Sequence, residues 1–276
     1  MGAPMAGHLL ESGADLTVWN RTPGKADALA AKGAKLADSP ERLAEQVDIV
    51  ILCVNRTEDV EEVLSAATPH AAPGTLFIDH STIAPPAAKR IEEDLRRDGF
   101  RFVDAPVTGG SMGAQKGQLT IFLGGSEEDC AEAIDIVKPY AKRAERVGDP
   151  GAGQMAKMAN QIAVAGSLIG LCESLSFASR AGLDIAQIKD MVGGGAAGSW
   201  AFENYGPKIL ARDWSPGFSV KNQRKDFGYC FEAANEINAA IPATRLVDEL
   251  LKRLQDEGRG EQATAALYEV LQRRSS

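Results

Sequence analysis

Short apolar and β-branched runs alternate with helical patterns over the first half of the chain. Strands are predicted at residues 16–19, 47–54, 76–79, 101–104 and 119–123, and helices at 58–67, 86–97 and 127–141. Thr22-Pro23 and Ser39-Pro40 predict two further helix starts, the first helix ending at Gly33, because a hydroxyl residue followed by proline is favoured there. Strands that alternate with helices are typical of βαβ units and predict a parallel sheet covered by helices.

The pattern changes after about residue 150. Apolar positions keep a helical period over residues 154–181, and further helices are predicted around 185–192, 227–239 and 244–257. A continuous helix of the first length would be about 40 Å long at 1.5 Å per residue. The chain is therefore predicted to fold as an α/β domain with a doubly wound parallel sheet over residues 1–150, followed by an all-α domain over residues 151–276.

The first ten residues match the later part of a dinucleotide-binding motif. In a Rossmann-type domain a strand runs into G-x-G-x-x-G and then into a helix, whose N-terminus holds the pyrophosphate. Gly2 takes the place of the third glycine. The strand and the Gly-x-Gly turn of the motif are missing from the sequence. We expect either a start assigned at an internal methionine or a damaged homologue, and the intact later positions favour the first.

The second strand is followed by Asn20-Arg21-Thr22. In NAD-binding domains an Asp or Glu at this point accepts a hydrogen bond from the ribose 2′-hydroxyl. A guanidinium can instead pair with a 2′-phosphate through two bonds, and a hydroxyl can donate to it. The segment therefore predicts NADP (NADPH) in preference to NAD. The alternative, that Arg21 is a solvated loop residue, stays open.

Two further segments carry candidate chemistry. Thr108-Gly109-Gly110 follows a predicted strand, and two glycines let backbone N–H groups approach an anion closely. Lys157 is followed one helical turn later by Asn160 and Gln161, so the three share a helix face. A lysine beside fixed amides can give a proton to a carbonyl oxygen or take one from a hydroxyl. Taken alone, the first segment can be a simple turn and the second an ordinary amphipathic helix.

Together these two segments resemble the β-hydroxyacid dehydrogenase family, which includes 3-hydroxyisobutyrate dehydrogenase and the tartronate semialdehyde, glyoxylate and succinic semialdehyde reductases. The resemblance runs over essentially the whole chain, and it implies that the all-α domain over residues 151–276 serves substrate binding and oligomerisation. It implies that Lys157 is the catalytic general acid and base. It also implies a set of substrate-binding residues: Thr108, Gly109, Gly110, Asn160 and Gln161. The Asn-Gln pair is most similar to the tartronate semialdehyde reductase branch.

The same resemblance implies where the cofactor binds. Its contacts would come from the helix start, from the turns after three strands, and from a lysine of the helical half: Gly2, Asn20, Arg21, Thr22, Val54, Asn55, Ser81, Thr82 and Lys225. Ser81-Thr82 corresponds to the family's turn beside the nicotinamide, and Asp226 helps to hold the site. Val54-Asn55 stands where the family usually carries Leu-Pro, so the details of that turn are an open point.

Composition narrows the classes of partner. The formal net charge of −8 argues against a nucleic-acid-binding surface. Four scattered cysteines and three histidines show no metal-ligand spacing, so no metal site is expected, and buried thiols in a reducing compartment are favoured over disulfides. The apolar run at 49–54 is too short to span a bilayer and no signal peptide is evident, so we expect a cytoplasmic protein without a membrane partner.

The leading functional prediction is an NADPH-dependent reductase of a small carboxylate-bearing aldehyde, working as a homodimer or homotetramer. One alternative is a 3-hydroxyisobutyrate-type dehydrogenase working oxidatively. Imine reductases share the architecture but carry another residue at the lysine position, so Lys157 counts against them. A non-catalytic interaction module is the alternative from a different class. Lys157 disfavours it, whereas the missing first strand keeps it open.

Overall fold

The structure is a computed structural model that describes residues 1–273. Its contacts divide the chain into two compact units, Met1–Lys157 and Met158–Ser276. One long helix, α8 (Ala152–Arg180), runs through the boundary between them.

The first unit alternates strands and helices. Its strands are β1 (Thr17–Val18), β2 (Lys35–Leu36), β3 (Ile49–Leu52), β4 (Leu76–Asp79), β5 (Arg101–Asp104), β6 (Val107–Thr108), β7 (Leu119–Gly124) and β8 (Ala141–Gly148). Its helices are α1 (Gly2–Glu11), α2 (Asp27–Ala30), α3 (Pro40–Ala44), α4 (Thr57–Ala67), α5 (Pro85–Arg97), α6 (Gly110–Gln115) and α7 (Glu127–Val137), with 3-10 turns at Thr68–His70 and Lys138–Tyr140.

The strands form two sheets. β1 and β2 pair in parallel, and a six-stranded sheet has the order β3-β4-β5-β7-β6, with β8 paired to β7. β3, β4 and β5 are parallel and in register, so that their carboxyl ends lie side by side at Leu52, Asp79 and Asp104. β7 is antiparallel to β5 and β6 and parallel to β8, so the sheet is mixed towards one edge.

Side chains from both faces of the central sheet are buried under helices. Leu76 and Ile78 pack in one core with α1 and α7, whereas Phe77 and Phe102 pack in another with α4 and α5. Successive residues of a strand point to opposite faces, which explains why the central strand β4 is buried throughout. The prediction of a doubly wound α/β domain followed by a helical domain is confirmed.

Two predicted elements of the first unit differ from the structure. The helix predicted over 127–141 ends at Val137, because Pro139 cannot continue it, and residues 141–148 form strand β8 instead. The helix predicted from Thr22-Pro23 to Gly33 is reduced to Asp27–Ala30. Gly24 adopts a φ of 78°, which is incompatible with a helix at that point. The helix start at Ser39-Pro40 is as predicted, and the Ser39 hydroxyl accepts from the Arg42 N–H.

The second unit is helical. Up to residue 273 it contains the greater part of α8, a 3-10 turn at Thr264–Ala266 and six further α-helices: α9 (Ile185–Gly193), α10 (Trp200–Asn204), α11 (Gly206–Ala211), α12 (Val220–Glu236), α13 (Pro242–Asp256) and α14 (Leu267–Gln272). By length and composition alone α8 could cross a membrane, with a mean hydropathy of 1.5 in its most apolar 18-residue window. Of that window 39% is buried inside the protein. Core helices of soluble proteins meet the same criterion, so the observation is weak support for a membrane.

Candidate active site

The first turn of α8 is held by the carboxylate of Asp104, which lies at the carboxyl end of β5 and is fully buried. Its Oδ1 accepts from the Gly151 N–H at 2.7 Å and its Oδ2 from the Gln154 N–H at 2.8 Å. These donors belong to the start of a helix, where N–H groups lack intrahelical partners. Burial raises the pKa of Asp104 to about 7, although the two backbone donors act in the opposite direction. The backbone at Gly124 and Gly153 lies close to Asp104, since a Cβ at either glycine would clash with it.

The side chain of Gln154 joins the same helix turn to the segment after β4. Gln154 is fully buried; its Nε2 donates to the Ser81 carbonyl at 2.8 Å, and its Oε1 accepts from the Ile83 N–H at 3.2 Å. Ser81 is bonded in turn to the segment after β3, because its hydroxyl accepts from the Val54 N–H at 2.9 Å. Residues 81–83, which include the predicted nicotinamide turn Ser81-Thr82, are therefore tied to α8 and to the turn after β3.

Lys157 lies one turn beyond Gln154 and is 7% exposed. Its ammonium donates to the backbone carbonyl of Val107 at 2.8 Å. Val107 immediately precedes Thr108-Gly109-Gly110, where Gly109 and Gly110 have φ angles of 126° and 64°. Side chains with a Cβ rarely adopt such angles, so both positions require glycine. The structure thus brings the predicted proton donor beside the loop that was predicted to bind a carboxylate.

In the second unit a chain of hydrogen bonds joins three predicted site residues through Asp226. The Asn160 Nδ2 donates to the Gln161 Oε1 at 2.8 Å, and the Gln161 Nε2 donates to the Asp226 Oδ2 at 2.7 Å. Lys225 pairs with the other Asp226 oxygen at 3.0 Å and lies over the Tyr229 ring at 5.2 Å. An ionised carboxylate only accepts, so Asp226 determines which atom each amide presents to the next.

A cavity of about 510 Å³ lies in the first unit at the carboxyl ends of β1 and β3. Its lining includes five of the predicted cofactor residues: Asn20, Arg21, Thr22, Val54 and Asn55. The start of α1 is close by, since a Cβ at Gly2 would lie 3.5 Å from the Cys53 Cβ. Ligands of open α/β sheets bind beyond the carboxyl ends of the strands, so this position suits a dinucleotide.

The positive charge of Arg21 is partly neutralised by acidic side chains that its sequence motif does not indicate. Arg21 is 61% exposed and contacts Asp59 at 3.0 Å and Glu62 at 3.6 Å, both on α4. Asp59 also contacts Arg56 at 3.7 Å. Two carboxylates therefore face the guanidinium that was predicted to receive a 2′-phosphate.

Sequence reasoning missed Gln154 and Asp59. Gln154 occupies a polar position three residues before Lys157 in an otherwise apolar turn, and that pattern was a usable signal. Asp59 has no local signal, because its contact with Arg21 spans 38 residues. Among residues 1–273, no group of three or more His, Cys, Asp or Glu side chains is placed to hold a metal ion.

Two family models match nearly the whole chain. The family model described as the NAD binding domain of 6-phosphogluconate dehydrogenase matches residues 1–148. The model described as NAD-binding of NADP-dependent 3-hydroxyisobutyrate dehydrogenase matches residues 151–271.

Individual relatives agree with these models. The chain is 38% identical over 277 residues to probable 3-hydroxyisobutyrate dehydrogenase-like 1, mitochondrial, of Arabidopsis thaliana, covering 99% of this chain and 83% of the relative. It is 33% identical over 275 residues to 2-hydroxy-3-oxopropionate reductase of Escherichia coli, covering 99% and 94%. A solved structure, Mycobacterium tuberculosis 3-hydroxyisobutyrate dehydrogenase with L-serine, has a TM-score of 0.89 at 28% identity, covering 99% and 96%.

These matches confirm the family predicted from the two motif segments. They extend over both structural units, and the matched residues include the strand-end turns and helix α8 described above. The chain belongs to the β-hydroxyacid dehydrogenase family of NAD(P)-binding oxidoreductases.

Proposed function

We propose that the protein is an NADPH-dependent reductase of a small carboxylate-bearing aldehyde, such as tartronate semialdehyde, glyoxylate or succinic semialdehyde, with Lys157 as the general acid. The observation that carries the proposal is the 2.8 Å bond from the Lys157 ammonium to the Val107 carbonyl, directly before the Thr108-Gly109-Gly110 loop. A bound nicotinamide supplies the hydride. The residues of this chain bind the aldehyde and deliver the proton to its carbonyl oxygen.

The loop at 108–110 supports a carboxylate as the anchoring group. The two glycines admit an anion close to the backbone N–H groups, and the Thr108 hydroxyl can donate to it. Lys157 adds a positive charge beside the same loop. In the family pattern a serine is usual at the position of Thr108, so the extra methyl of threonine is expected to trim the pocket and to favour short substrates.

The role of Lys157 follows from its surroundings. The ammonium is nearly buried, and its bond to Val107 holds Nζ at one place instead of leaving a long side chain to sample many rotamers. In reduction it gives a proton to the developing alkoxide, and in oxidation it removes the hydroxyl proton. Asn160 and Gln161 follow it on α8 and are proposed to bind the substrate through their amides.

NADPH in preference to NADH is supported by Arg21 and Thr22 in the cavity at the ends of β1 and β3. Asp59 and Glu62 oppose it, because a 2′-phosphate must compete with them for the guanidinium. The substitution Arg21→Asp tests the assignment. It removes a charge-assisted pair and adds repulsion, each worth about 1–3 kcal/mol, so the order of the two cofactors in kcat/KM should reverse. Equal kcat/KM for both cofactors in the parent protein contradicts the preference.

The central experiment compares three carboxylate-bearing aldehydes with their uncharged analogues, following NADPH absorbance. Tartronate semialdehyde, glyoxylate and succinic semialdehyde should be reduced, whereas the neutral analogues should react far more slowly, since they leave buried donors of the loop unpaired. Equal rates for charged and neutral aldehydes rule out the carboxylate role of Thr108-Gly109-Gly110. No turnover of any aldehyde would favour the interaction module.

A second candidate is oxidation of 3-hydroxyisobutyrate. It is favoured by the names of relatives, including 3-hydroxyisobutyrate dehydrogenase of Drosophila melanogaster, 32% identical over 281 residues. The same residues would act in reverse, with Lys157 as the base. Measuring kcat/KM in both directions with both substrate sets distinguishes this candidate from the reductase.

We further propose a homo-oligomer in the cytoplasm. Helix α9 carries Ile185, Ile188 and Met191 but has no buried residue, and Met191 is 67% exposed. Phe177 at the end of α8 is 76% exposed. A second copy of the chain would cover these apolar side chains, and light scattering at several concentrations tests the mass. A reducing compartment is supported by four free cysteines, three of them buried.

A further inference from the structure

Within the described residues, two glutamines have no exposed surface, Gln154 and Gln223, and they differ in what their amides contact. Gln154 makes two hydrogen bonds to backbone groups, the Ser81 carbonyl and the Ile83 N–H. Neither amide atom of Gln223 has a hydrogen-bond partner among residues 1–273. Burial of a glutamine in this protein therefore does not by itself produce hydrogen bonds, and those of Gln154 depend on where it lies.

The hydrogen bonds of Gln154 connect the turn after β4 with the first turn of α8, next to Lys157. Gln154 and Lys157 are three residues apart on α8, so their side chains are neighbours on one face. Gln154 is bonded to the turn after β4, and Lys157 is bonded to Val107 beside the substrate loop. A shift of the β4 turn relative to the first turn of α8 would have to break the Gln154 amide bonds.

We infer that Gln154 is a positioning residue for hydride transfer, which holds the Ser81-Thr82 turn at a set distance from Lys157. The inference rests on the proposed function, in which the hydride donor lies against this turn and the proton donor is Lys157. The hydride donor and Lys157 must both reach the same substrate carbonyl group, although the residues that position them belong to separate segments of the chain. A misplacement of about 1 Å at a reacting centre can cost roughly 100-fold in rate.

Gln154→Leu tests the inference, with Gln223→Leu as the matched control. Both exchange a fully buried glutamine for an apolar residue of similar size, but only the first breaks hydrogen bonds. Gln154→Leu should lower kcat about 10- to 100-fold. Its KM for the aldehyde and its Kd for NADPH should stay within about threefold, since Lys157 and the loop keep their own contacts. Gln223→Leu should keep the parent kcat.

Gln154→Glu adds a readout that a purely structural role would not produce. A protonated glutamic acid can donate to the Ser81 carbonyl and accept from the Ile83 N–H, as glutamine does, but its ionised form cannot donate. The position is fully buried, and burial raises the pKa of a carboxyl group. The kcat of Gln154→Glu, divided by that of the parent at each pH, should therefore be near one at pH 5.5 and fall as the pH rises to 8.5.

The outcomes separate the inference from the function on which it rests. If the parent protein shows turnover that depends on Lys157, but Gln154→Leu keeps kcat within threefold, the positioning role is wrong. A flat kcat ratio for Gln154→Glu across pH also overturns it, and this holds even if Gln154→Leu fails to fold. If the parent reduces none of the aldehydes and oxidises none of the hydroxy acids, the proposed function is wrong instead.

Discussion

The ammonium of Lys157 donates to the backbone carbonyl of Val107 at 2.8 Å, across 50 residues of sequence. This bond links helix α8 to the chain segment that begins the Thr108-Gly109-Gly110 loop. A lysine held in this way has lost much of its rotamer freedom before a substrate binds. Preorganisation of this kind favours proton transfer, because the donor need not be ordered at the moment of reaction.

Replacing Lys157 with methionine should abolish turnover while NADPH binding stays within a few fold of the parent value. Proton transfer by a positioned group is worth on the order of 10²–10⁴ in rate. Methionine keeps much of the length and packing of the lysine stem but has no proton to give. Single-turnover absorbance and NADPH titration check the two parts separately. A mutant that retains more than about a tenth of the parent kcat removes Lys157 from the catalytic role.

Glu62→Gln should raise the preference for NADPH over NADH by about two- to fivefold, because exposed ion pairs contribute up to about 1 kcal/mol. Glu62 is 69% exposed and lies 3.6 Å from Arg21, where it competes with a 2′-phosphate. Glu61→Gln is the matched control, since Glu61 pairs with Arg90 instead. The ratio of kcat/KM values for the two cofactors is the measurement. The same change in both variants would show that the effect is one of overall charge.

The sequence predicted the fold class because the strands at the centre of the sheet are apolar runs separated by clear helix starts. Strand β8 was missed for a physical reason. Three of its eight residues are partly buried, and four of the five exposed residues are Lys or Arg or Glu, which is typical of an edge strand. The antiparallel pairing of β7 with β5 was also missed, because apolar alternation does not encode strand direction.

For the candidate site, the sequence predicted residues that lie inside short linear motifs, such as Lys157 and Thr108. It did not predict their partners. The bonds from Gln154 to Ser81 and from Arg21 to Asp59 join residues that are 73 and 38 positions apart, and folding alone decides which side chains meet. Which of the two amides donates in the Asn160–Gln161 hydrogen bond likewise depends on Asp226, which lies 65 residues from Gln161.

Asp226→Asn should raise the KM for the aldehyde about tenfold, equivalent to about 1.4 kcal/mol, with a smaller effect on kcat. Asparagine can donate or accept, so Gln161 is no longer forced to present its oxygen to Asn160. The side-chain amides of Asn160 and Gln161 can then flip by 180°. The substrate would meet amide N–H groups in some molecules and amide oxygens in others. Asp248→Asn is the control, because Asp248 is another ion-paired carboxylate of the same unit, bonded to Arg224. An unchanged KM in Asp226→Asn would show that the hydrogen-bond chain does not orient the substrate amides.

Two buried groups of the first unit should make stability depend on pH in opposite directions. His80 is held between the Ala105 carbonyl and the Tyr140 hydroxyl, and burial lowers its pKa to about 4 from 6.5. An unfolded chain therefore binds more protons at this site, so the contribution of His80 is complete above pH 6.5 and is lost as the pH falls towards 4. For Asp104, whose pKa is raised from 3.8 to about 7, the contribution is complete below pH 3.8 and is lost as the pH rises through 7.

Because these two slopes oppose each other between pH 4 and 6.5, the parent protein should show little change in its free energy of unfolding over that range. Asp104→Asn removes one slope and keeps a hydrogen-bond acceptor for α8. Its stability should therefore rise from pH 4.5 to 6.5 by an amount on the order of 2–3 kcal/mol, since each pKa unit corresponds to about 1.4 kcal/mol. His80→Phe should show the reverse, a fall in stability from pH 4.5 to 7.5. Urea unfolding at four pH values measures both slopes, and parallel curves for the parent and Asp104→Asn would show that Asp104 does not titrate within this range.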